Sequence, residues 1–142
     1  SASLYTSTPR RVAIIGSGAA GLSAARVFSR QGISPVVLEK EQTVGGVWNY
    51  DPDSTKTRPM YRGLRTNLPK EIMAFREKPW PARVKESYIT HSDVQEYLQE
   101  YRQDYQLDQY ITYGATVKQL TVLNEQTSKL SPASHSWTCL PL

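Results

Sequence analysis

A chain of 142 residues, 39% of them hydrophobic and 21% charged, carries enough apolar material for one core, and no run approaches the roughly 18 to 20 apolar residues of a membrane-spanning helix. The net charge of +4 comes from scattered basic residues, densest at Arg58, Arg62, Arg65 and Lys70. A solvated face or an anionic ligand explains that distribution as well as a nucleic acid does, so no nucleic-acid partner is expected. One cysteine, Cys139, excludes an internal disulfide and a cysteine-based metal cluster, and His91 and His135 lack ligand-pair spacing, so no metal site is expected.

Residues 1–9 are polar, without the apolar core of a signal peptide, and are expected to be a flexible lead-in. Residues 11–16 form a short apolar, partly β-branched run that predicts a buried strand of a parallel sheet. A glycine-rich turn follows, Gly16-Ser17-Gly18-Ala19-Ala20-Gly21. Residues 21–30 place Leu22, Ala25, Val27 and Phe28 at helical spacing, and Gly32 stands where a helix ends on a left-handed residue. Residues 34–38 read as a second strand, ending at Glu39. This β–α–β unit implies a right-handed crossover and parallel pairing.

Residues 41–87 are rich in Gly, Pro, Arg and Asn and read as loops, with one short helix near 70–75. Ser92, with Gln95 three residues on, predicts a capping box opening a helix over 93–105, whose apolar stripe is Val94, Tyr97, Leu98, Tyr101 and Tyr105. Strands are predicted over 111–113 and 115–123, then a polar loop over 124–136 and the beginning of another strand at Trp137. The expected fold is α/β: a Rossmann-like three-layer domain over 10–123, with strands 11–16, 34–39 and 111–113 in one parallel sheet and 11–16 away from its edge. Residues 124–142 are expected to be a loop and the truncated start of a meander.

The glycine turn is a GxGxxG sequence in the setting that gives it meaning, between a strand and a helix. Gly16 permits the tight turn, Gly18 lets backbone approach a pyrophosphate, and Gly21 allows close packing of helix on strand. The helix N-terminus offers N–H groups and a positive dipole end to phosphates. Glu39, about 20 residues further on, is placed to accept hydrogen bonds from the hydroxyls of an adenosine ribose.

Four further segments resemble the flavin-containing monooxygenases. Glu39-Lys40 followed by Gly45-Gly46-Val47-Trp48 resembles that family's second FAD motif. The stretch Tyr61-Arg62-Gly63-Leu64-Arg65-Thr66-Asn67-Leu68-Pro69-Lys70, then Met73-Ala74-Phe75, resembles the segment that sets Thr66 and Asn67 beside flavin and nicotinamide. His91-Ser92-Asp93-Val94 resembles the helix that follows, and Thr116-Val117 resembles the strand whose backbone meets the adenine. Read from the residues alone, Gly45-Gly46 is also an ordinary bend, Trp48 a core residue and Asn67 a turn former.

The resemblance implies FAD bound by Gly16, Ser17, Gly18, Ala19, Ala20, Gly21, Glu39, Lys40, Gly46, Val47, Trp48, Thr66, Asn67 and Val117. It implies Asn67 as the catalytic residue, because an amide both donates and accepts hydrogen bonds. The implied reaction reduces FAD with NADPH, adds O2 and passes one oxygen from a flavin hydroperoxide to a small, soft nitrogen or sulfur nucleophile. The NADPH site would lie mostly outside this chain, since no second glycine-rich turn and no Phe-x-Gly-x-x-x-His-Ser segment is present. The chain is therefore expected to be the inactive FAD-binding part of a longer enzyme, in the cytoplasm or on the cytosolic face of an intracellular membrane. The alternatives are an inert nucleotide-binding module or the FAD domain of another two-dinucleotide flavoprotein, such as a Baeyer–Villiger monooxygenase.

Overall fold

The computed structural model describes residues 10–53 and 59–121. The lead-in at 1–9, Arg58, and the loop and strand start expected over 124–142 lie outside the described residues. Three strands, β1 (Arg11–Ile15), β2 (Ser34–Leu38) and β3 (Ile111–Thr112), form one parallel sheet. Two helices, α1 (Ala19–Arg30) and α2 (His91–Asp104), separate them in the chain. This is the α/β parallel sheet expected from the β–α–β spacing.

The strand order differs from expectation: β2 is central and β1 lies at the edge of the described sheet. In register, Ile15 pairs with Leu38, and Leu38 pairs in turn with Thr112. Two further bonds, Glu39 N–H to the Thr112 carbonyl (2.9 Å) and Ala115 N–H to the Glu39 carbonyl (2.8 Å), fasten β3 to β2. Burial follows the same order, with Val37 and Leu38 enclosed while Ile15 is 64% exposed.

Helix α1 begins at Ala19, earlier than the apolar spacing suggests, because Gly18 in extended conformation takes the N-cap position and its carbonyl accepts from Leu22. Leu22 and Ala25 are fully buried where α1 packs on β1 and β2. Gly32 has φ +67, and Ile33 N–H returns to the Phe28 carbonyl (3.1 Å), the left-handed ending that a glycine adopts without a Cβ penalty.

Helix α2 is capped one turn-position earlier than predicted, by Thr90 and Asp93 rather than Ser92 and Gln95. Asp93 N–H donates to Thr90 Oγ1 (3.2 Å), and Thr90 N–H donates to Asp93 Oδ2 (2.9 Å). Ser92 is left exposed, and Gln95 is recruited elsewhere. The predicted stripe does face inward: Val94, Tyr97, Leu98 and Tyr101 join Leu22, Val44, Ile89 and Leu107 in the core. Tyr105 sits at its margin under the Arg26 guanidinium, 4.1 Å from the ring centre.

Two stacked or tilted aromatic contacts, Trp80 on Tyr97 (4.1 Å) and Phe75 against Tyr101 (4.3 Å), draw the loop before α2 onto that helix. Tyr101 donates to Glu77 Oε1 (2.5 Å). Burial and that carboxylate both push the Tyr101 phenol above its usual range.

The helix expected near 70–75 is a single 3-10 turn, Lys70–Ile72, entered from Pro69. The strand expected over 115–123 does not form over its described part: the chain turns at Gly114 (φ +68) and 115–121 is irregular. No helix among the described residues is long and apolar enough to cross a membrane.

Candidate dinucleotide-binding site

The site is built where β1 ends. Gly16 takes φ +90 and donates its N–H to the Leu38 carbonyl (2.9 Å), so the turn is tied to β2 as it leaves the sheet. A Cβ on Gly21 would lie 2.0 Å from the Gly16 carbonyl oxygen, so the first turn of α1 rests directly on the strand end. The N-terminus of α1 has no side-chain cap. Its first N–H groups remain available, at the positive end of the helix dipole, for an anionic ligand.

A second glycine loop closes against the first. Gly45 N–H donates to the Ser17 carbonyl (3.0 Å), and a Cβ on Gly46 would stand 3.1 Å from Gly18 Cα. Both turns therefore present bare backbone to one another and to whatever lies beside them. Gly45 itself has φ +120, and a Cβ there would meet Gln95 Oε1 at 1.8 Å. Gln95, which the sequence offered as part of a cap, instead reaches 51 residues back and donates Nε2–H to the Val44 carbonyl (2.7 Å), locking this loop to α2.

Glu39 is buried, 4% exposed, at the C-terminal end of β2. Its Oε2 accepts from both the backbone N–H (2.7 Å) and the hydroxyl (2.6 Å) of Ser17, and its Oε1 accepts from Glu41 N–H (2.9 Å). The carboxylate is thus held at the glycine turn, as the spacing anticipates. The Ser17 hydroxyl as its partner was not legible in advance, because any small residue satisfies the second position of GxGxxG.

The remaining expected positions spread around this centre. Ala19 is half-buried and Ala20 exposed on the first turn of α1, and Lys40 is exposed beside Glu39. Val47 is 60% exposed, while Trp48 packs against the core, so the tryptophan serves the fold whatever else it touches. Val117 is half-buried in the irregular segment beyond Ala115.

Thr66 and Asn67, adjacent in sequence, have opposite surroundings. Thr66 is buried, its N–H donating to the Ile89 carbonyl (2.9 Å) and its Oγ1 accepting from Ile89 N–H (3.1 Å). Asn67 is exposed, with no hydrogen bond to a described residue, on a support that Thr66 makes rigid.

Lys70, part of the same sequence segment, turns away from ligand duty. Its Nζ donates to the Glu86 (2.8 Å) and Lys85 (3.3 Å) carbonyls, with the side chain 11% exposed and Glu71 3.5 Å away. Lys70→Met should remove both charge-assisted bonds and lower stability by about 1.5–3 kcal/mol, read as a lower urea midpoint with an unchanged slope. An unchanged midpoint would show that this latch contributes nothing.

The donor set suits a dinucleotide: open helix N–H groups and side-chain-free backbone for a diphosphate, and a buried carboxylate for a ribose. Comparison with known proteins is consistent with that chemistry. Residues 9–133 match the family described as flavin-binding monooxygenase-like. The chain is 36% identical over 133 residues to the flavin-containing monooxygenase FMO GS-OX4 of Arabidopsis thaliana, covering 81% of this chain and 29% of that protein.

Among solved structures, S-allyl-L-cysteine S-oxygenase from Allium sativum aligns with a TM-score of 0.68 at 32% identity, over 78% of this chain and 29% of that one. A cyclohexanone monooxygenase aligns with a TM-score of 0.59 at 23% identity, over 77% of this chain and 21% of that one, a likeness of fold alone. The chain thus spans less than a third of the length of each of these proteins. With its two glycine turns and its acidic strand end in the matched region, this chain belongs to the flavin-binding monooxygenase-like family.

Proposed function

We propose that this chain forms the adenosine-diphosphate side of the FAD site in an NADPH- and O2-dependent monooxygenase acting on soft sulfur or nitrogen nucleophiles. The observation that carries the reading is the meeting of three features at one point: the uncapped start of α1, the Gly18–Gly46 backbone contact and the buried Glu39. Sulfur or nitrogen oxygenation is preferred over ketone oxygenation because the Allium protein named as an S-oxygenase is 32% identical, against 23% for cyclohexanone monooxygenase.

Bound FAD would supply the activation of dioxygen with electrons from NADPH. The chain's own part is binding and positioning. The α1 N–H groups hold the diphosphate, Glu39 holds the ribose, and the α2 residue Gln95 keeps Gly45-Gly46 pressed to the turn. Asn67, free of internal hydrogen bonds, presents an amide that both donates and accepts toward the reacting face without releasing a proton. No side-chain nucleophile or acid–base pair is required.

The test is made in a full-length protein carrying this segment. Asn67→Leu keeps similar bulk and removes both hydrogen-bonding functions. FAD content should persist, oxygenated product from a thioether should fall at least tenfold, and hydrogen peroxide released per NADPH consumed should rise. Loss of FAD, or fully coupled turnover, would show that Asn67 only shapes the turn. A parent protein that binds neither FAD nor NADPH would remove the functional reading itself.

A further inference from the structure

The hydrogen bonds around Glu39 limit what it can offer to a ligand. An ionised carboxylate has about four acceptor sites, two on each oxygen. Oε2 accepts twice from Ser17, at 2.7 Å from the backbone N–H and 2.6 Å from the hydroxyl, which fills that oxygen. Oε1 accepts once, from Glu41 N–H at 2.9 Å. One acceptor site remains, on Oε1. Ser17 is fully buried, so its own hydroxyl oxygen is not open to a ligand, and it acts only by holding the carboxylate.

An adenosine ribose presents two hydroxyls, on C2′ and C3′, and each needs an acceptor when it leaves water. We infer that Ser17 makes Glu39 a one-hydroxyl reader: the carboxylate accepts from only one of the two ribose hydroxyls, and the Ser17 hydroxyl decides which by pinning Oε2 away from the ligand. This rests on the FAD reading above. It makes Ser17 a positioning residue for ligand discrimination. The backbone N–H of Ser17 belongs to the glycine turn and would hold Oε2 in any sequence, whereas the hydroxyl is particular to serine at this position and removes the last free site on that oxygen.

The experiment is an equilibrium titration of the 142-residue chain, followed by flavin fluorescence, with three probes: FAD, and FAD lacking either the 2′- or the 3′-hydroxyl of the adenosine. For the parent chain, loss of one hydroxyl should weaken binding roughly tenfold or more, the effect of one charge-assisted hydrogen bond, while loss of the other should change it less than about threefold. In Ser17→Ala, the freed site on Oε2 accepts the second hydroxyl, so the two deoxy probes should weaken to similar extents and the asymmetry should collapse.

A purely structural role for Ser17 would weaken all three probes together and leave their ratios unchanged, which overturns the proposal. Equal losses for both deoxy probes in the parent chain overturn it as well. If the parent chain binds FAD no better than riboflavin, the FAD reading fails first and the inference goes with it. Thermal unfolding of Ser17→Ala, expected near the parent midpoint, confirms that the ratios report on a folded protein.

Discussion

Gly21→Ala is expected to cost about 3 kcal/mol or more of stability and to abolish FAD binding with it. The new methyl would stand 2.0 Å from the Gly16 carbonyl oxygen and 3.0 Å from its carbon, far inside contact distance. Neither side can yield cheaply. Gly16 is tied through its N–H to the Leu38 carbonyl, and α1 is held to the sheet by fully buried Leu22 and Ala25.

Overpacking in cores usually costs about 1–3 kcal/mol, and a clash with main chain on both sides belongs at the top of that range. Against total stabilities of about 5–15 kcal/mol, this is a large fraction. Gly18→Ala makes the contrast: its Cβ would meet Gly46 Cα at an ordinary 3.7 Å, so the fold should survive. Its methyl would instead stand where backbone must approach the diphosphate, and FAD affinity should fall at least tenfold. Urea unfolding and FAD titration of the two variants separate the packing glycine from the ligand glycine. Parent-like unfolding of Gly21→Ala would show that the helix is not seated on the strand end.

Glu39→Ala carries the second large effect, and it acts twice. The ligand loses its ribose acceptor, which should weaken FAD binding at least tenfold. The protein also loses the acceptor for Ser17 N–H, the Ser17 hydroxyl and Glu41 N–H. Donors left without partners cost about 1–3 kcal/mol each where water cannot replace them, so a measurable drop in urea midpoint should accompany the loss of affinity. Glu39→Gln keeps the shape and one carbonyl acceptor, and should restore much of the stability but little of the affinity for FAD. Full FAD affinity in Glu39→Ala would remove Glu39 from the site, whatever its effect on folding.

What the sequence determined by itself was local. The apolar runs at 11–15 and 34–38, the helical spacing of α1 and the left-handed Gly32 all follow from side-chain periodicity and backbone sterics within a few residues. The glycine turn and the acid at the end of β2 were legible for the same reason: a backbone brought against a diphosphate needs glycines at set positions, and the crossover length sets where the next strand ends.

The tertiary structure decided everything that needed a distant partner. Ser92 and Thr90 are equally plausible caps by composition; Thr90 won because its N–H and hydroxyl both reach Asp93, while Gln95 was drawn to the Val44 carbonyl 51 residues away. Lys70 read as part of a ligand segment and proved to be a latch on the 85–86 carbonyls. β1 went to the edge of the described sheet because β3 paired with β2, a choice no periodicity encodes. The Ser17–Glu39 bonds join residues 22 apart, and only the folded turn brings that hydroxyl to the carboxylate. Periodicity reports which face of an element is buried; which buried polar group meets which donor is settled only when the elements pack, because hydrogen bonds are short and directional.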